Sequence, residues 1–378
     1  MKGTIARKGN RYYPVIDLGK DPISGKRRRK WHGGHDRKRD AQKTLNEILS
    51  RIQSGEYVEP NRKTLSEFLL GWLDTRRESV APTTHANYTH QINSYVIPHL
   101  GHRKLQDVTA LELSDFYALL LTSGRRQSSG GLSAKSVLNV HRVVSKAMAD
   151  ALRWNLITRN PATHAEVPKA QRREMNIWSA DQVKAFLTVE KDTREFPIWV
   201  VASTTGMRRG EILGLSWSAV DLDVGRLSVV QTLVNLDNKP TIRKEAKTAS
   251  GHRSVELDRD TVEVLRQHRR RQAQERLRAG SAWQDHGLVF CRENGTSDKP
   301  QRVTRVFKAK SAAAGLPQIR FHDLRHTWAT LALSTGGHPK IVSQRLGHSS
   351  ISITLDLYSH VTPGMDKEIA EQVAALFR

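Results

Sequence analysis

Cysteine is almost missing from these 378 residues, and the single Cys291 excludes an internal disulfide. It follows Leu288-Val289-Phe290, which reads as a buried strand, so the thiol reads as a small core residue rather than a nucleophile. Unbroken apolar runs of about 18–20 residues are also lacking, as are a secretory signal pattern and a lipidation motif, so a membrane is not the expected partner. No Cys/His spacing, HExxH or P-loop pattern is found, which argues against a zinc site or a nucleotide cofactor. Acidic residues are too few to balance the bases: 38 Asp and Glu stand against 61 Lys and Arg, a formal charge of +23. Such an excess repels itself unless a polyanion is near, and nucleic acid is the usual one.

The surplus begins at the amino terminus, where residues 1–60 hold 15 Lys and Arg against seven Asp and Glu. Thr4–Lys8, Tyr12–Leu18 and Arg27–His32 read as strands separated by Gly9-Asn10 and by the Asp21-Pro22 and Ser24-Gly25 turns. A helix from Arg37 to Gln53 follows, with Leu45, Ile48, Leu49 and Ile52 on one face. Arg27, Arg28 and Arg29 on the third strand are candidate DNA contacts, because a β-ribbon fits the major groove.

After a linker at Gly55–Arg62, the pattern is helical to about residue 160. Capping boxes at Thr64–Glu67 and Thr109–Glu112 open two helices, and Pro82-Thr83 opens another that Pro98 is expected to end. A long helix from Ala134 to Trp154 sets Val137, Val144, Met148 and Ala151 within about 40° of one another. Lys135, Arg142 and Lys146 fall on its opposite side, a cationic stripe suited to phosphates. Val167–Asn176 is a second basic linker, and a capping box at Ser179–Gln182 starts a last domain of helices with strands between about Leu227 and Leu257.

Four clusters in this last domain carry polar groups that packing does not explain. Thr205–Leu213 has a glycine-rich opening before a helix, with Arg208 and Glu211 on one helix face. Lys247–Leu257 reads as a hairpin turning at Ser250-Gly251 with a lysine near the tip. In His322–Leu331, Trp328 and Leu331 form a buried stripe with Leu324, while His322 and Arg325 sit together off it. Pro339 opens a short helix that Gly347 ends, and Ser350 caps the next, which carries Tyr358 at its end.

In this order the clusters resemble the tyrosine recombinase, or phage integrase, family: TGxRxxE at Thr205–Glu211, HxLRH at His322–His326, LGH at Leu346–His348 and YSH at Tyr358–His360. Each pattern is short, but four in the right order with Lys247 between the first two are specific. The resemblance implies Arg208 and Arg325 as paired arginines on the scissile phosphate, assisted by His322 and His348. It makes Lys247 the hairpin lysine and Tyr358 the nucleophile. Glu211 reads as orienting Arg208, and His322 as a candidate acceptor of the tyrosine proton, directly or through water. A 3′-phosphotyrosine with a free 5′-hydroxyl is the expected intermediate, and no metal, ATP or reducing cofactor is required.

The implied fold is α+β and mainly α. A three-stranded sheet with one helix forms an arm-type DNA-binding domain (1–57), followed by a helical SAM-like core-binding domain (62–166). A mixed α/β-hairpin catalytic domain (176–378) ends in a tail helix. There Pro363-Gly364 precedes Ile369, Val373 and Leu376, a stripe that packs either on its own domain or on a neighbouring protomer. The expected partners are double-stranded DNA at core and arm-type sites and further copies making a tetramer on DNA. A directionality factor or host DNA-bending protein is the accessory expected beside them, and the expected location is the cytoplasm, on nucleoid DNA. A type IB topoisomerase shares the chemistry, but the basic amino-terminal module suits bridging two kinds of site. A non-enzymatic DNA-binding protein gives no reason for the six residues to be assembled, and a metal nuclease lacks its carboxylate cluster.

Overall fold

The computed structural model describes residues 3–20, 25–54, 57–126, 128–170, 176–236, 239–244 and 253–358, with 371, 374–375 and 377 beyond them. The chain divides into two compact units, residues 1–171 and 172–378. Among the described residues no helix is long and apolar enough to cross a membrane.

The first unit opens with an antiparallel sheet of strands β1 (Gly3–Lys8), β2 (Arg11–Lys20) and β3 (Arg27–Trp31) in the order β1-β2-β3. Helix α1 (Lys38–Gln53) closes it, burying Ala41 and Leu45. Buried Val15 and Ile16 supply the sheet's share of this small core. All three strands and the helix thus lie where the sequence pattern sets them.

The helical part follows as α2 (Leu65–Arg76), α3 (Pro82–Gln91), α4 (Ile97–Leu100), α5 (Ala110–Ser123) and α6 (Ala134–Arg153). The capping boxes at Thr64 and Thr109 are both formed, each with reciprocal bonds to its glutamate. Pro98 does not end the helix before it. The chain widens into a π-helical turn at Ile92–Val96, where Ile97 N–H bonds to Ile92 O, and helix resumes through Pro98 to Leu100. A proline lacks the amide a continuing α-helix needs and clashes one turn back, and the π turn accommodates both.

Around α6 the apolar stripe packs as its spacing requires: Val137, Val140, Val144, Met148 and Ala151 are buried with Phe68, Leu69, Trp72 and Tyr117. One carboxylate enters this core. Asp150 accepts from Trp72 Nε1 at 2.7 Å, from Arg76, and from Arg153 Nη2 at 2.7 Å. Burial alone would raise its pKa, but the bonds from Trp72 and Arg76 and the adjacent arginine charges hold it below the usual carboxylate range.

The second unit contains α7 (Ala180–Glu190), α8 (Phe196–Thr205), α9 (Arg209–Leu213), β4 (Val220–Asp221), β5 (Arg226–Val229), β6 (Gln231–Leu236), β7 (Lys239–Lys244) and β8 (Arg253–Glu256). It continues with α10 (Arg259–Ala279), α11 (Pro300–Ala313), α12 (Asp323–Ser334), α13 (Pro339–Leu346) and α14 (Ile351–Tyr358). The third capping box, Ser179 with Gln182, starts α7. Trp178, Phe186, Trp199, Phe307 and Phe321 are buried together, ring centroids 5.1–6.1 Å apart.

Of the hairpin read at Lys247–Leu257, residues 247–252 lie outside the described residues. Its described part, β8, pairs with β5 in the order β4-β5-β8, while β7 before it pairs with β6. Leu227, Val229 and Val255 are buried, so core packing draws β8 to β5. The turn at Ser250-Gly251 lies outside the described residues. Leu288–Cys291 is buried but makes only isolated bridges, Ser216 with Leu288 and Cys291 with Ser297. Side chains replace a ladder there: His268 Nε2 and Gln272 Nε2 reach Val289 O at 2.7 and 3.0 Å.

Removing one partner of a buried pair leaves an uncompensated charge, so Asp150→Ala is expected to destabilise the first unit by about 3 kcal/mol. Asp150 has a depressed pKa when folded, so its contribution is present above the ordinary carboxylate value and is lost as pH falls through the folded value. Denaturant unfolding of parent and variant from pH 7 down to pH 3 measures this. The two curves should converge at the acid end, and a gap that stays constant with pH would contradict the assignment.

Candidate active site

The second unit gathers its chemistry at the ends of short helices. Helix α8 stops at Gly206, whose φ of +66° places it in the left-handed region. A side chain there would be strained, and its Cβ would also lie 2.7 Å from the Trp328 ring. The chain turns at once into α9, with Arg208 as the residue before its first turn. Glu211, one turn on, reaches back and accepts from Arg208 N at 2.8 Å.

The guanidinium of Arg208 is fixed by two bonds: Nη1 to Glu211 Oε1 at 2.8 Å and Nη2 to Gly347 O at 2.7 Å. Glu211 is itself buried and also receives Arg253 from β8, Nη1 to Oε1 at 3.1 Å and Nη2 to Oε2 at 2.5 Å. Burial pushes this carboxyl up, but the Arg253 and Arg208 contacts outweigh it, and its pKa falls below the ordinary value. Glu211 is therefore ionised at neutral pH. The Arg208 side chain, 43% accessible, presents the open end of the network.

Arg325 approaches from α12 and donates from Nη1 to Gly206 O at 2.8 Å. It is buried, at 4% accessibility, so it lies within the packed face rather than off it, contrary to the sequence reading. Helix α12 packs against both α8 and α13, which widens its buried face to include Asp323, Leu324, Arg325, Thr327 and Ala329. Trp328 and Leu331 are only partly buried. His322 immediately precedes α12, makes no side-chain capping bond, and meets His326 edge to face at 5.4 Å. Burial, then the charges of His326 and Arg325, lower the His322 pKa, although its outer surface stays open to solvent. An open cleft of about 380 Å³ lies here, lined by Arg208, Arg209, Arg320 and His322 among others.

His348 follows Gly347, which ends α13 in the left-handed region as the sequence predicts. Its Nδ1 lies 2.8 Å from Thr354 Oγ1. If the hydroxyl donates, the neutral ring carries its proton on Nε2. Burial, then the positive charges of Arg325 and Arg208, push its pKa down to about 4. Both arginines thus act electrostatically on one imidazole. Thr354 is fully buried on α14, one turn before Tyr358, and Ser350 caps that helix by accepting from Ser352 N at 3.2 Å. Of Tyr358 the structure describes the backbone, as the last residue of α14. Lys247, the YSH residues Ser359 and His360, and the tail stripe of Ile369, Val373 and Leu376 lie outside the described residues.

Arg208, Arg325, His322 and His348 therefore stand within one neighbourhood. Arg208, Arg253 and Arg325 stand here around Glu211, the carboxylate that Arg208 and Arg253 share, an arrangement suited to a further anion with several oxygens. The sequence reading missed Arg253 and Thr354. Arg253 had a signal: strand alternation sets it on the face of buried Val255, where an arginine needs an acidic partner. Thr354 had none, since its role depends on how α14 folds back toward His348.

The candidate DNA contacts lie in the first unit. Arg27 pairs with Asp17 at 3.3 Å and Arg28 with Glu59 at 3.0 Å, and Arg29 after them is exposed. Lys135, Arg142 and Lys146 are exposed along α6, on the side away from its buried valines.

Three family models match the chain: an arm DNA-binding domain over residues 4–52, a phage integrase N-terminal SAM-like domain over 64–121, and the phage integrase family over 178–365. An integrase of Streptomyces ambofaciens is 30% identical over 93% of this chain and 89% of its own length. A tyrosine recombinase XerC-like protein of Caldanaerobacter subterraneus subsp. tengcongensis is 28% identical over 100% of this chain and 99% of its own. Among solved structures, a lambda integrase tetramer bound to a Holliday junction covers 93% of both chains with a TM-score of 0.57 at 18% identity, a likeness of fold. The ordered motifs, the arginine-lined site they build and the full-length relatives agree, and the chain belongs to the tyrosine recombinase, or phage integrase, family.

Proposed function

We propose that this chain is a site-specific recombinase that integrates and excises a mobile element, with Tyr358 as its nucleophile. The observation that carries the reading is the placing of Arg208 and Arg325 together, Arg325 bonded to Gly206 O two residues before Arg208 and Arg208 bonded to Gly347 O beside His348, at the start of the segment that leads into the Tyr358 helix. The Tyr358 hydroxyl attacks the scissile phosphorus and loses its proton, with His322 as candidate acceptor. The phosphorus becomes five-coordinate, and the negative charge on its non-bridging oxygens is met by Arg208 and Arg325, with His348 donating from Nε2. The bond to the 5′-oxygen then breaks. That oxygen leaves as a hydroxyl if Lys247 supplies its proton, and a 3′-phosphotyrosine remains. The covalent link conserves the bond energy, so a 5′-hydroxyl from a partner duplex can reverse the step and join a new strand.

Residues 1–57 are proposed to hold arm-type DNA through Arg27, Arg28 and Arg29. Residues 62–166 are proposed to hold core DNA through Lys135, Arg142 and Lys146, leaving 176–378 for catalysis. Exchange of four strands calls for four protomers, and the tetrameric state of the lambda integrase on its junction supports that assembly. A directionality factor or a host bending protein would set the balance between integration and excision.

Tyr358→Phe is expected to bind DNA normally and form no covalent adduct with a nicked suicide substrate on denaturing gels. An adduct surviving in that variant would remove Tyr358 from its role. Lys247→Ala is expected to slow cleavage of ordinary DNA severely, yet to cleave a substrate with a 5′-bridging sulfur nearly as fast as the parent, because a thiolate leaves without an acid. Equal losses on both substrates would move the acid elsewhere. A chain starting at Val58 is expected to cleave core sites but fail to recombine full-length sites, since linkage of two DNA contacts supplies effective concentration. Normal recombination by that truncation would sink the bridging role.

A further inference from the structure

Arg253 is not among the six proposed chemical groups, yet all three of its guanidinium nitrogens are bonded to protein oxygens. Its side chain is 9% accessible and that of Glu211 is 1% accessible. The four bonds on this carboxylate divide evenly. Oε1 receives Arg208 Nη1 and Arg253 Nη1, at 2.8 and 3.1 Å, and Oε2 receives the Arg208 backbone N–H and Arg253 Nη2, at 2.8 and 2.5 Å. An ionised carboxylate accepts about four hydrogen bonds, so Glu211 is saturated by two arginines, one buried and one open. The third donor of Arg253 is also used, Nε to Arg345 O at 2.7 Å. That bond reaches the end of α13, just before the Gly347–His348 step.

Gly347 shows how closely these parts fit. A Cβ at this residue would lie 2.8 Å from Arg253 Nη1 and 3.1 Å from its Cζ, and φ is +68°. The backbone of Gly347 therefore rests on the Arg253 guanidinium, while its carbonyl accepts from Arg208 Nη2 at 2.7 Å. One residue lies between two arginines, and His348 follows it. We infer that Arg253 is the positioning residue of the site, setting Arg208 through Glu211 and His348 through Arg345 and Gly347 so that both meet the same phosphate. This rests on the proposed roles of Arg208 and His348. Arg253 itself touches no substrate. Without it Glu211 keeps half its donors, α13 loses a tether, and the exposed end of Arg208 loses its fixed direction.

The test compares Arg253→Met, which keeps the length of the stem without its charge, and Arg253→Lys, which keeps charge without the planar fork. Single-turnover adduct formation on a suicide substrate is measured beside DNA affinity, folding by denaturation, and the pH profile. A misplacement of about 1 Å costs on the order of 10² in rate, so Arg253→Met is expected to lose about that factor with DNA affinity nearly unchanged. Arg253→Lys should recover part of the rate. The acid limb should move up in Arg253→Met, because a Glu211 carboxylate relieved of one arginine binds its proton more readily and activity falls as pH drops through that value. In an Arg208→Ala background the further change to Met should cost clearly less than in the parent, since one of the two groups through which Arg253 acts is already gone.

Additive losses, an unmoved acid limb, or a rate loss with no change beyond stability would overturn the inference and leave a structural ion pair. Should Arg253→Met not fold, Arg253→Lys carries the same comparison. The controls separate this from the wider reading. A parent without adduct, or an Arg208→Ala variant that cleaves normally, defeats the phosphate-clamp reading, whereas a sound parent with an indifferent Arg253 defeats only the positioning role.

Discussion

The second unit is organised around one buried negative charge. Two guanidinium groups cannot lie this close without an anion between them, and a carboxylate cannot be buried this deeply without cations around it. Glu211 meets both conditions for Arg208 and Arg253. A pair of this kind is weak evidence for stability, since apolar side chains of similar volume often pack as well. Its effect is on geometry, because a saturated carboxylate allows one arrangement of its donors. That arrangement brings α9, β8 and the end of α13 to a common point, and the Gly206 turn gives Arg208 its direction.

The parts legible in the sequence were those whose cause is local. The three capping boxes at Thr64, Thr109 and Ser179 need only four consecutive residues, and all three form. The α6 stripe, the left-handed Gly347 and the three amino-terminal strands follow from short-range spacing in the same way. The motif residues were legible because their polar groups had no packing explanation. What the motifs could not supply was the set of contacts between them.

The rest depended on contacts made at a distance in sequence. Local rules stop a helix at Pro98, and a π turn that none of them announces carries the helix past it. A helical wheel with one buried side puts Arg325 on an outer face, whereas α12 is covered on two. Of the hairpin read at Lys247–Leu257 the structure describes only β8, and the buried Leu227, Val229 and Val255 join it to β5, a pairing no local pattern announces. Arg253 became visible as a partner of Glu211 only with that register in place.

The saturated carboxylate is assembled from residues 208–211, 253 and 345, and the glycine seated on it is residue 347. Contacts so far apart in sequence close late, because the entropy of long loops must be overcome before they form. A chain still emerging from the ribosome has helices α2–α6 long before it has α13. Until residue 347 has been made, Arg208 lacks the Gly347 carbonyl and Arg253 lacks the Arg345 carbonyl. Order of synthesis thereby makes the anion clamp one of the last parts of this unit to become rigid.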